Sequence, residues 1–263
     1  MKQKIKNLYD LVTLGLSLGT TIFEKVRLTL FLINSRIFPS GRAASYFNVS
    51  MHGVPLRIHL RRNFADAFIL EEIFRGNDYA LSLAVDPAVI VDLGANLGFA
   101  ALSFAVRYPR AHIFCFEPDP KNFAELTANT ASFPTIKCFP YAIGSKKEKR
   151  FFYTSPIFHM RNSLIARSGN EDRIEVSVIP LDEAFRIAGI QKVDLLKFDV
   201  EGAEAEIVSS FARWEIIRAL VGELHPYLWK GDEQQQLIDT LQKHYTITIR
   251  KEGTKTFLAG VAL

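Results

Sequence analysis

Val89-Ile90-Val91-Asp92-Leu93-Gly94-Ala95-Asn96-Leu97-Gly98-Phe99 is the stretch that decides the architecture. An apolar run of strand length ends in an acid, a glycine-rich turn follows, and a helical pattern starts near Leu97. This is the strand–turn–helix unit of a ligand-binding α/β crevice. Gly94 can take a tight positive-φ conformation and lets a ligand approach the backbone. The following helix aims unpaired N–H groups and its positive end into the crevice, which suits an anionic group. A dinucleotide fingerprint needs glycines at all three positions of G-x-G-x-x-G, yet Asn96 and Phe99 stand at the second and third counted from Gly94. The turn is therefore neither an NAD loop nor a P-loop.

Downstream, short apolar runs alternate with helical patterns: HIFCFE from His112, a helix from Pro120, TIKCFP from Thr135, a helix from Leu181, VDLLKFD from Val193, a helix from Ala203 and IIRALVGEL from Ile216. Such alternation predicts an α/β, doubly wound, mostly parallel sheet. After a helix over 234–243, the runs YTITIR and KTFLAGVAL predict a closing antiparallel hairpin and bring the sheet to seven strands. Upstream, FNVSMHGVPLRIHL over 47–60 alternates around a Gly-Val-Pro break and reads as a small hairpin outside that sheet. The expected organisation is a helical arm over 1–45 and a catalytic domain over 46–263.

With 263 residues, about half of them apolar, the chain supports one dominant core. Its net charge of +4 comes from interspersed charges without long runs of one sign, so no nucleic-acid partner is indicated. The two cysteines, Cys115 and Cys138, sit inside strand-like runs without metal or redox spacing; they read as unpaired thiols in a reducing compartment and point to a cytoplasmic protein. In the arm, Lys2, Lys4 and Lys6 precede an apolar run from Leu11 to Phe23. Asp10 begins that run, and Glu24, Lys25 and Arg27 end it short of a bilayer span. The arm is expected to pack on the domain, with attachment to a membrane surface or a partner as the alternative. Oligomeric state is left open.

The second chemical signal is Glu117, which ends the next strand 25 residues beyond Asp92, where an acid can accept hydrogen bonds from both hydroxyls of a ribose. Its charge would repel a 2′-phosphate and so disfavours NADP. Pro118 directs the chain onward, while Asp119 and Pro120 read as an N-cap and first-turn proline, leaving Asp119 a secondary candidate near a base. The third signal lies in Lys197-Phe198-Asp199-Val200-Glu201-Gly202, where Glu201 shares a side with Asp199 if the chain stays extended. Glu223 and His225 repeat that spacing at the next strand end. Four polar groups should converge at the carboxyl ends of the strands, whereas Glu204 and Glu206 read as acids favouring a helix N-terminus. Asp199 and His225 are the expected catalytic pair, His225 as proton acceptor because its reference pKa lies nearest neutrality, with Glu201 orienting cofactor or acceptor. A divalent metal on these ligands is conceivable, but their spacing is not diagnostic, so no metal site is assigned. The polar insertion from Phe158 to Asp172 reads as a lid, with Arg161, Asn162, Ser163 and Arg167 facing an acceptor.

Taken in order, VIVDLGANLGF, CFEPDPKNFAELTAN, IPLDEAF, LLKFDVEGAEAEIV and GELHP resemble the FkbM-type methyltransferases over roughly Ala84 to Pro226. These are a class I group acting mainly on hydroxyls of sugars, glycolipids or polyketide products. The resemblance implies S-adenosylmethionine as cofactor. Asp92, Gly94, Asn96 and Gly98, with Ala95 in the same turn, would frame its methionine end. Glu117, with Pro118 beside it, would hold the ribose, and Ala142 and Ile143 would flank the adenine. It implies O-methyl transfer to a small-molecule or glycan acceptor. Transfer to nitrogen and a non-catalytic nucleoside-binding module stay open as alternatives. A nucleotide-dependent oxidoreductase is disfavoured by the absent glycines and the lack of a Tyr-x-x-x-Lys pair.

Overall fold

The computed structural model describes residues 2–38, 44–75, 79, 83, 85–154, 162–166 and 172–263. Helices α1 (Lys2–Leu18) and α2 (Ile22–Ile37) form the arm, strands β1 (Ala44–Met51) and β2 (Val54–Arg61) the small hairpin, and α3 (Phe64–Arg75) leads to the main domain. The hairpin turn is His52-Gly53, both at positive φ, so the bend falls just before the Val-Pro pair, which belongs to β2. Leu11, Leu14, Leu28 and Leu32 of the arm are buried with Phe47, Val49 and Ile58 of the hairpin and with Leu97, Phe99 and Leu102. This end of the molecule thus shares a core with the glycine turn.

The main sheet has the order β11-β12-β10-β9-β3-β4-β5, with β3 (Val89–Leu93), β4 (His112–Phe116), β5 (Ile136–Phe139), β9 (Leu195–Phe198) and β10 (Ala219–Leu224) parallel. The final strands β11 (Tyr245–Glu252) and β12 (Lys255–Ala262) form the expected hairpin, and β12 inserts antiparallel beside β10. Side chains of β3 and β9 are buried on both faces, as central parallel strands require. Order runs β3-β4-β5 one way and β9-β10 the other, so the chain switches direction between β3 and β9 and opens a crevice at their carboxyl ends.

The predicted helices after β3 are found within a residue of their expected positions, except that α4 (Phe99–Arg107) starts two residues later than Leu97, because Asn96 and Gly98 take positive φ of 50° and 85°. Asp119 accepts from the N–H of Lys121 at 2.8 Å and caps α5 (Pro120–Thr130), with Pro120 at its first position. Helices α6 (Leu181–Ala188), α7 (Glu204–Ser210) and α8 (Glu233–Gln242) cover the sheet. A three-stranded sheet, β6 (Ala142–Gly144), β8 (Asp172–Pro180) and β7 (Glu148–Thr154), follows β5 in the chain and packs against α6 and α7. Among the described residues no helix is long and apolar enough to cross a membrane.

Candidate active site

A cavity of about 830 Å³ opens at the carboxyl ends of β3, β4, β9 and β10, at the upper end of the range for small-molecule sites. Gly94, Ala95, Asn96, Glu117, Pro118, Ala142, Ile143, Asp199, Glu201 and His225 all line it. Asp92, Gly98 and Asp119 do not. Asp92 is fully buried under the turn, its carboxylate 2.8 Å from the Lys197 ammonium, and Lys197 is the member of this pair that reaches the cavity. The two residues are register partners on β3 and β9, so the ion pair ties together the strands that flank the switch point. Gly98 sits against α5, where a Cβ would lie 2.8 Å from Leu126 Cδ1. Asp119 spends its oxygens on the cap and on the Asn162 amide at 2.7 Å.

Gly94 is demanded by the backbone. A Cβ there would fall 2.0 Å from the carbonyl oxygen of Asp199, and its φ is 74°. The turn therefore presses against the end of β9, which brings the nucleotide-type loop and the acidic strand end into one crevice. Glu117 is 4% exposed at the end of β4; Oε2 accepts from the N–H of Asn96 and Oε1 from that of Asp119, each at 2.9 Å. Burial pushes its carboxyl up to about 8, against the pull of those two N–H groups.

At the opposite end the groups are charged and mutually engaged. His225 is buried, with Nδ1 2.7 Å from Oε1 of Glu204 and Nε2 3.3, 3.8 and 3.9 Å from carboxylate oxygens of Glu201, Glu223 and Asp199. Burial opposes its positive charge, but the Glu204 bond and the carboxylates outweigh that and raise its pKa to about 10. Asp199 is shifted the other way: burial favours its neutral form, yet Lys197, His225 and the Tyr79 hydroxyl hold it below the usual carboxylate range. Tyr79 donates to Asp199 Oδ2 at 2.8 Å. Glu223 is raised by burial and by Asp199, with Lys255 moderating the rise from 3.0 Å. One ligand atom from each of Asp199, Glu201 and His225 falls within 4.8 Å of the others, so these three can hold a cation.

The FkbM methyltransferase domain model matches residues 92–246, more than half of the chain. The protein belongs to the FkbM methyltransferase family. It is 28% identical to methyltransferase sdnD of Sordaria araneosa over 190 residues, covering 59% of this chain and 73% of that one. It is 30% identical to 2-O-methyltransferase NoeI of Sinorhizobium fredii over 141 residues, 47% of this chain and 57% of NoeI. Among solved structures it is similar to methyltransferase FkbM from Methylobacillus flagellatus KT, with a TM-score of 0.48 and 16% identity over 98% of this chain and 60% of that one.

In this FkbM-family methyltransferase, Asp199 and Glu201 reach the cavity by a different backbone path from an extended strand. Glu201 adopts φ 55° and Gly202 φ 109°, so the chain turns left-handed where the Glu201 carboxylate joins that of Asp199 at the cavity. A non-glycine residue held there is locally strained, as is common at functional sites. Glu204, expected only to favour a helix N-terminus, is 1% exposed and orients His225 while accepting from the Gly202 N–H at 3.1 Å. Tyr79, Glu72, Lys197 and Lys255 also join the site, Lys255 pairing with both Glu72 and Glu223. Lys197 had a signal in the sequence, a lone cation inside an apolar central strand; Tyr79, Glu72 and Lys255 come from remote segments and had none. Phe64 and Phe68 of α3 supply an aromatic wall. Of the expected lid, residues 158–161 and 167–171, with Arg161 and Arg167, lie outside the described residues. Asn162 and Leu164 line the cavity, and the Ser163 hydroxyl donates to the carbonyl of Glu201.

Proposed function

We propose that the protein transfers the methyl group of S-adenosylmethionine to a hydroxyl oxygen of a sugar, glycan, glycolipid or related small molecule. The observation that carries this reading is the shared cavity: a buried strand-end acid, Glu117, beside a glycine turn at one end, and a carboxylate–histidine cluster at the other. Glu117 and Asn96 suit the ribose and the turn around it, Ala142 and Ile143 the adenine, and the turn after β3 the methionine carboxylate. The cofactor supplies an electrophilic methyl on a sulfonium. The chain must align the acceptor oxygen behind that methyl, exclude water and take up the hydroxyl proton. The 2-O-methyl transfer named for NoeI supports oxygen as the acceptor atom.

Within the cluster His225 holds its proton at neutral pH, so its role becomes that of a buried cation gathering Glu201, Glu204, Glu223 and Asp199. Asp199, held ionised by Lys197 and His225, orients Tyr79 and would offer a negative charge to the sulfonium. Glu223, a carboxylate raised toward neutrality, is the better proton acceptor. A divalent cation on Asp199, Glu201 and His225 would require a neutral imidazole, its Nδ1–H given to Glu204 and Nε2 to the ion.

The first experiment is calorimetry with S-adenosylmethionine, S-adenosylhomocysteine, NAD and NADP; tighter binding of either dinucleotide overturns the cofactor assignment. A screen of sugars, oligosaccharides and glycolipids for labelled methyl incorporation then reads the acceptor. Its pH profile separates the two bases, since activity must rise with pH through the pKa of the group that accepts the proton. A profile that levels off well below 10 fits Glu223, a carboxyl raised by burial and by Asp199, and a climb to about 10 returns the role to His225. Activity abolished by chelator and restored by a divalent ion would place a cation on the three ligands.

A further inference from the structure

The two arm helices are apolar on two faces, and among the described residues only one of these is covered. The inner faces, with Leu11 and Leu14 on α1 and Leu28 and Leu32 on α2, are buried against the β1–β2 hairpin. Gly15 backs onto Thr29, and Gly19 onto Lys25, so the helices run antiparallel in close contact. On the opposite side Tyr9 and Leu16 of α1 and Phe23, Val26, Leu30 and Ile37 of α2 are exposed, Phe23 at 72% and Leu30 at 55%. Their spacing of three, four and seven residues places each set on one helical stripe. Because both helices pack by their inner stripes on the same core, the two outer stripes merge into one apolar surface facing away from the domain. A contiguous surface of that kind marks an interaction site rather than ordinary exposure.

Charge identifies what covers it. Residues 1–38 carry six Lys or Arg and two Asp or Glu, a net +4 that equals the net charge of the whole chain; the remainder balances at 26 of each sign. All the excess positive charge therefore rides on the segment that carries the apolar surface. A second copy would bring the same charge to the contact and be repelled, whereas an anionic bilayer attracts it and accepts the apolar stripe. We propose that the outer face of the α1–α2 hairpin docks on an anionic lipid surface, the helices lying in the interface plane.

The test is co-sedimentation of the full chain with phosphatidylcholine vesicles with and without phosphatidylglycerol, at low and high salt. Binding to the phosphatidylglycerol vesicles that weakens with salt is expected. F23S/L30S should lower it by about tenfold or more, and K2Q/K4Q/K6Q should remove the preference for the anionic lipid; circular dichroism melts check that each variant is folded. Should F23S/L30S fail to fold, F23W provides the reading, with a blue-shifted emission expected on phosphatidylglycerol vesicles. Absence of vesicle binding, unchanged binding of F23S/L30S, or an F23W emission unmoved by vesicles would overturn the proposal. So would a dimer that F23S/L30S dissociates in a protein that ignores vesicles, which would assign the face to a second copy.

Discussion

Glu117 and Asp199 are acids at equivalent places, each just past the carboxyl end of a central parallel strand and facing the same cavity, yet the protein shifts their pKa values in opposite directions. Glu117 accepts from two backbone N–H groups and among the described residues has no cation in contact, only a weak pull from Lys197, and burial pushes its carboxyl up to about 8. Asp199 lies among Lys197, His225 and Tyr79 and is held ionised despite its burial. The position in the fold is shared; the neighbouring cations make the difference. One end of the cavity is thus suited to neutral hydroxyl groups, the other to a reaction in which charge moves.

The comparison breaks hardest at Lys197. Lys197→Met removes the cation that serves both Asp92 and Asp199 and leaves a buried carboxylate unpaired, so a loss of about 3–5 kcal/mol is expected in urea unfolding near neutral pH. An unfolding midpoint within error of the parent would show that the pair is not what holds β3 to β9. Next comes Glu117→Ala, which should weaken S-adenosylmethionine binding by roughly 3 kcal/mol, about two orders of magnitude, and should also cost about 1–3 kcal/mol of stability because the N–H groups of Asn96 and Asp119 lose their acceptor. Unchanged affinity would remove the ribose from this position. Glu117→Gln should lose less.

A pH series sharpens the contrast. Ribose hydroxyls donate best to an ionised carboxylate, so cofactor affinity in the parent should rise as pH passes through about 8, and Glu117→Gln should flatten that rise. A flat parent profile would mean Glu117 is already ionised. His225 works in the opposite sense. Its folded pKa of about 10 lies above the unfolded value near 6.5, so its contribution to stability is full below about 6.5 and is lost as pH climbs through 10. Glu204→Gln should draw the imidazole pKa downward, as a histidine NMR titration would read; a pKa that stays in place would deny Glu204 its orienting role. The smallest effect is expected at Asp119→Ala, about 1 kcal/mol from the lost cap of α5, with cofactor affinity nearly unchanged. A large loss of affinity there would restore Asp119 to the cofactor site.

Much of this was visible in the residues. Alternating apolar runs foretold the order of strands and helices because central parallel strands are continuous in sequence, and polar groups at strand ends foretold Glu117, Asp199, Glu201 and His225 as cavity residues. Two kinds of feature were not. The helix α3 and the three-residue strand β6 gave no separable period, the first because Phe64 to Phe74 is apolar on more than one face, the second for want of length. The electrostatic state of His225 depends on Glu204, which comes 21 residues earlier and reads locally as a helix-start acid. A reference pKa describes an isolated imidazole, and four carboxylates within 4 Å replace that description.

The single reversed strand has a consequence of its own. Because β12 runs against β10, its first residue rather than its last reaches the crevice, and the turn at Gly253 stands on the ligand side of the sheet with Thr254 and Lys255 in the cavity wall. A crossover helix would have put that connection at the far edge. Here the reversal creates a short, solvent-facing rim segment whose length and composition can vary without repacking any central strand. Insertions there offer an evolutionary route to new acceptors, one in which selectivity drifts while the core stays constant.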